Sequence, residues 1–94
     1  MRGMLSFLIL WLLTKKPMHG QEIAENLYKR RGIKPSPGTL YPALKELKRS
    51  GLISGKKQGK FIVYSLTDDG EKGIKTACKY FCKCFGEIVK EHMK

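Results

Sequence analysis

Lys45, Lys48, Arg49, Lys56, Lys57 and Lys60 crowd into residues 45–60, and cations at that density are suited to neutralising phosphate. The first three belong to "PSPGTLYPALKELKRS" (35–50), which also carries an apolar ladder of Leu40, Leu44 and Leu47. On a helical wheel at about 100° per residue, those leucines and Ala43 share one arc, which must be core. Gly38, Tyr41, Pro42, Lys45, Lys48 and Arg49 fall outside it. A helix entering a DNA major groove needs this layout. Small residues at its N-terminal end let it approach the base edges, and its free N–H groups attract a phosphate. The cations that follow reach the flanking backbone.

Ser36 is a good N-cap, Pro37 suits the first helical position, and Gly38 permits close approach. Pro42 has two readings. With Ser36 as the cap it lies inside the helix and removes a hydrogen bond; with Thr39 as the cap it falls in the first turn at little cost. The plain alternative for the whole basic face is a solvated surface helix. The second basic group, Lys56, Lys57 and Lys60 in the turn-like "GKKQGK" (55–60), shifts the balance. Two basic elements beside one helix end make a footprint several phosphates wide.

Other chemistries fit less well. Cys78, Cys82 and Cys84 form C-x3-C-x-C; the first two lie one turn apart and could share a soft metal ion. Structural zinc takes four ligands, and neither a second cysteine pair nor a histidine pair completes the set. The thiols read as small hydrophobes, with a metal or redox sensor as the alternative, so no metal and no cofactor is expected. His19 stands at a helix entry, where capping or packing is its expected role. "GLISGKK" (51–57) has three residues between its glycines and Lys57 where a phosphate loop needs serine or threonine for magnesium. With no nucleophile, base and orienting partner in evidence, catalytic residues are not expected and the chain does not read as an enzyme.

The elements that must position these residues follow from periodicity. Residues 3–15 read as a first helix stopped by Lys16-Pro17, and 20–31 as a second, ended by Gly32. The third is the basic run, ended by Ser50-Gly51. The period then changes from 3.6 to 2: Leu52-Ile53 opens a strand, and "FIVYSL" (61–66) returns as its partner. Thr67 caps a last helix with Asp68, Asp69 and Glu71 in its first turn. In that helix Ile74, Cys78, Phe81, Phe85, Ile88 and His92 are spaced 4, 3, 4, 3, 4, an a/d seam. The fold class is therefore mainly α with a small β-hairpin. It is a winged helix-turn-helix over residues 1–67, followed by a C-terminal dimerisation helix over 68–94.

Charge agrees with that division. The 94 residues carry a formal net charge of +11, which favours a polyanionic partner. Residues 1–67 hold 13 basic and 3 acidic residues; residues 68–94 hold 6 and 5. The apolar "MLSFLILWLL" (4–13) is too short to span a bilayer, which takes about 20 apolar residues. A signal peptide would need a small-residue cleavage site, and "TKKPMHGQEI" follows instead. The expected location is the cytoplasm, with no membrane partner.

"MHGQEI" (18–23), "SPGTLYPALKELKRSGLI" (36–53) and "VYSLTDDGEKGI" (63–74) resemble the PadR family of winged-helix transcriptional regulators. The likeness runs from about Leu5 to Ile74. It implies a homodimer that binds double-stranded DNA at an inverted-repeat operator and usually represses transcription. Carried onto this chain, it puts recognition at Ser36, Gly38, Thr39, Tyr41, Pro42 and Lys45, and wing contacts at Lys56, Lys57 and Lys60. The chain departs from the pattern at Gln21, where tyrosine is common, and in having one C-terminal helix, as in the smaller type. The alternatives are a ligand- or metal-sensing dimer, or a protein-interaction module that binds no operator.

A homodimer is also expected from the residues themselves. A helix apolar on every side needs cover on every side, and the 74–92 seam has nothing else to bury Phe81, Phe85 and Ile88 against. The expected interface is Phe7, Leu8 and Trp11 with Ile74, Cys78, Phe81, Phe85 and Ile88. The resemblance, which includes relatives that sense flat aromatic drugs with a tryptophan, implies that Trp11 could line a site for a small aromatic effector at the dimer centre; the plain reading is interface core.

Overall fold

The computed structural model describes residues 2–92, with the side-chain surroundings of residues 2, 3, 81 and 92 excepted. The order is α1 (Arg2–Leu13), β1 (Met18–His19), α2 (Gly20–Arg31), α3 (Pro37–Arg49), β2 (Ile53–Gln58), β3 (Phe61–Leu66) and α4 (Asp68–His92). It is a mostly helical chain with a small antiparallel sheet, the winged helix-turn-helix arrangement.

The core is built around α1. Leu8, Ile9, Leu10, Leu12 and Leu13 are all buried, because α2, α3, α4 and β3 each pack against this helix. The helix thus finds most of its cover within its own chain, with Leu5, Phe7 and Trp11 half-buried and Met4 exposed. Leu8, expected at an interface between chains, is 7% exposed and belongs to its own chain's core. Ile74, at 4%, does the same from α4. Ile23, Ala24 and Leu27 from α2, with Leu40, Leu44 and Leu47 from α3, complete the helical layer.

The sheet has order β1-β3-β2, all antiparallel. Its short first strand, Met18 against Tyr64 and His19 against Val63, was not foreseen. Two residues are too few to show an alternating pattern. Ile53 pairs with Leu66 and Gln58 with Phe61, so Gly59 and Lys60 form the hairpin turn. Lys56 and Lys57 therefore lie on the strand rather than in the tip, as the reading of 55–60 had it.

Thr67 joins the wing to α4. Its hydroxyl accepts a hydrogen bond from the Gly70 N–H at 3.0 Å and donates one to the Gly51 carbonyl at 2.6 Å. Its N–H donates to the Leu52 carbonyl at 3.1 Å. A Cβ at Gly70 would run into that same Leu52 carbonyl, so the entry to α4 needs glycine for close approach.

Candidate nucleic-acid interface

Helix α3 presents two faces. Leu40, Leu44 and Leu47 are buried, while Ser36, Gly38, Thr39, Tyr41, Pro42, Lys45, Lys48 and Arg49 are exposed. Ser36 is the N-cap in extended conformation, and its carbonyl accepts from the N–H groups of Thr39 and Leu40. That resolves the two readings of Pro42, which stands inside the helix and supplies no donor to the Gly38 carbonyl. The hydroxyls of Ser36 and Thr39 lie 3.2 Å apart and make a polar corner at the helix entry.

The ring of Tyr41, 48% exposed, lies across the start of α2. A Cβ on Gly20 would sit 2.7 Å from the Tyr41 hydroxyl and 2.9 Å from the ring. Gly20 therefore sets how closely α3 approaches α2. Nearby Tyr64 is buried in the sheet; burial, and secondarily Tyr41, raises its phenol above the ordinary value. No spacing rule could have paired Gly20 with Tyr41, because the contact depends on the turn between two helices.

The wing is tied to α2 through His19. Its Nδ1 accepts from the Glu22 N–H at 3.3 Å, and the Glu22 carboxylate accepts from the His19 N–H at 3.2 Å, a reciprocal capping box. The same imidazole stacks on Phe61 of β3, with ring centroids 4.5 Å apart and planes 16° from parallel. Capping or packing was the expected role; the stack joins α2 and β3 at one side chain.

Lys56, Lys57 and Lys60 are exposed. Lys56 opposes Val63 and Lys57 opposes Ile62, so these two lysines project from opposite faces of the hairpin. Among the described residues, the ion pairs of this region are Lys16 with Glu22 at 3.7 Å and Arg49 with Glu46 at 3.9 Å. Among the described residues no carboxylate lies within 4.0 Å of Lys45, Lys48, Lys56, Lys57 or Lys60. These cations are left for an outside anion.

Away from this face, Phe7, Trp11 and Cys78 are partly buried against the core, and Phe85 and Ile88 are 55% and 56% exposed. Tyr80 and Val89, not singled out in the sequence, are exposed beside them. The side chain of Phe81 lies outside the described residues. Cys78, Cys82 and Cys84 are free thiols, and among the described residues no three His, Cys, Asp or Glu side chains gather as a metal site. No helix among the described residues is long and apolar enough to cross a membrane.

The family model described as "Transcriptional regulator PadR-like family" matches residues 9–76. Among solved structures, a transcriptional regulator from Clostridium thermocellum is 25% identical, with a TM-score of 0.86 over 99% of this chain and 93% of that one. A PadR-like transcription factor from Bacteroides fragilis is 30% identical, with a TM-score of 0.84 over 96% of this chain and 90% of that one. A PadR family transcription regulator from Clostridium difficile shares the fold at 23% identity and a TM-score of 0.83, over 96% and 98% of the two chains. No curated protein matches the chain.

Proposed function

Because the chain belongs to the PadR-like family of transcriptional regulators, and is thus a DNA-binding regulator, we propose that it works as a cytoplasmic homodimeric repressor on an inverted-repeat operator. The observation that carries this reading is the split of α3 into a buried leucine face and an exposed face of small residues followed by cations, of which Lys45 and Lys48 have no carboxylate partner among the described residues. In the proposed complex Ser36, Gly38, Thr39, Tyr41 and Pro42 face the base edges. Lys45, Lys48 and Arg49 hold one stretch of backbone, and Lys56, Lys57 and Lys60 hold another. Residues 68–94 supply the dimerisation helix, with Phe7, Trp11 and Cys78 at its edge.

A two-fold axis would set two recognition helices into half-sites about one DNA turn apart. Repression is then operator occupancy. Relief needs a ligand that prefers one spacing of the two helices over the other, since equal affinity for both shifts nothing. A small aromatic effector beside Trp11 is the candidate for that ligand.

Duplex titration at several salt concentrations tests the reading. Each lysine that neutralises a phosphate contributes about one unit to the slope of log affinity against log salt. Lys45→Ala and Lys60→Ala should each flatten it by about that much. Slopes equal to that of the native chain would remove both lysines from the interface.

A further inference from the structure

A groove of about 320 Å³ between α1 and α4 is lined by Trp11, Thr14, Ile74, Lys75, Cys78 and Lys79. That volume suits a small molecule. Cys78 brings a free, half-buried thiol into its wall. The other two cysteines stand elsewhere. Cys82 is exposed, Cys84 is half-buried, and neither lines the groove.

Positive charge gathers at the same place. Beside Lys75 and Lys79, three more cations stand against the Trp11 indole. Lys15 Nζ lies 4.9 Å from the ring centroid, and the guanidinium carbons of Arg30 and Arg31 lie at 5.5 and 5.7 Å. The π face of the indole attracts them. Among the described residues none of these five cations has a carboxylate within 4.0 Å. Like charges held together repel, and an incoming anion relieves that repulsion. Thiol, apolar floor and unneutralised cations thus meet around one indole.

We propose that Cys78 is a site of thiol–disulfide exchange, and that its reaction partner is a small disulfide carrying carboxylates. The cations draw the carboxylates in and raise the local concentration of the disulfide beside the thiol. The Cys78 thiol gives its proton to water, and its sulfur attacks one sulfur of the disulfide. The original S–S bond breaks as the bond to Cys78 forms. The second half leaves as a thiolate whose charge Lys75 and Lys79 offset. The disulfide is itself the oxidant, so no other reagent is consumed. The product is a mixed disulfide with a carboxylate-bearing group seated beside Trp11. None of these residues belongs to the face proposed to meet DNA, so the test is read on the chain alone.

Glutathione disulfide supplies an anionic probe and hydroxyethyl disulfide a neutral one. The full chain is exposed to each at low salt, its remaining thiols are blocked with N-ethylmaleimide, and it is cut with trypsin. Lys75, Lys79 and Lys83 then put Cys78, Cys82 and Cys84 on separate peptides for mass spectrometry. With glutathione disulfide, Cys78 should be modified before Cys82, against the order of their exposure. The ratio of the Cys78 rate to the Cys82 rate should fall at least about fivefold with the neutral probe, and by a similar factor in R30E/R31E with the anionic one. Added salt should narrow the difference between the probes. Should R30E/R31E fold poorly, K15Q provides the second measurement, with a smaller fall in the same ratio. In C82S/C84S, Cys78 should react as in the native chain. Cys82 reacting first with both probes, or a ratio that is the same for both, overturns the inference.

Discussion

The Tyr41 hydroxyl lies 2.7 Å from where a Cβ on Gly20 would be, so the second and third helices touch at a point with no room for a methyl group. Gly20→Ala should therefore push Tyr41, and α3 with it, off the start of α2. Overpacking of this kind costs about 1–3 kcal/mol, which outweighs the roughly 0.5–1 kcal/mol that alanine gains over glycine within a helix. Urea unfolding should show the loss, and duplex affinity should fall as well, because the displaced residue is on the exposed face proposed to meet DNA. Unchanged stability together with unchanged affinity would mean that the contact sets nothing.

Gly70→Ala is expected to be the more damaging substitution. At Gly20 the obstacle is a side chain that can swing; at Gly70 it is the Leu52 carbonyl, which is backbone. The start of α4 must move away from the wing, taking with it the Thr67 bonds to Gly51 and Gly70. A cost of about 3 kcal/mol is expected. Thermal unfolding compared side by side with Gly20→Ala checks the order.

His19→Ala removes a cap and a ring stack at once. The cap contributes about 1 kcal/mol and the stack with Phe61 about 0.5–1.5 kcal/mol, so a loss of about 2 kcal/mol is expected. His19→Asn should recover most of the cap and none of the stack. Equal losses for the two variants would mean that the cap contributes nothing.

Tyr64 links stability to alkaline pH. Its phenol is raised by burial and then by Tyr41, so over the window between the ordinary tyrosine value and the raised one the folded chain holds a proton that the unfolded chain has lost. Stability from this group is thus fully present below about pH 10 and is lost as pH rises through the raised value. The difference in unfolding free energy between the native chain and Tyr64→Phe should be flat through neutral pH and shrink above that point. A difference that stays constant to high pH would count against the burial effect.

Features set by local chemistry were legible in the sequence. Gly20 and Gly32 bracket α2, Thr67 caps α4, and the change of period after Ser50 marks the wing. Features set by who lies next to whom were not. The cover over α1 comes from four separate elements, so the apolar run at 4–13 could not reveal that one chain buries Leu8, Ile9, Leu10, Leu12 and Leu13. The two-residue strand at Met18–His19 exists only because β3 passes beside it. Lys56 and Lys57 were read as turn residues because glycines flank them, yet their pairing with Val63 and Ile62 extends the strand as far as Gln58. At the candidate interface the exposed face of α3 could be read from spacing alone, whereas the Tyr41–Gly20 contact and the cations around Trp11 required coordinates.

The most direct measurement is selection of bound sequences by the full chain from a pool of random duplexes. The account calls for enrichment of an inverted repeat whose halves lie about one helical turn apart, since two identical α3 helices would read them. A pool that stays random, or one enriched for a single asymmetric site, would contradict it.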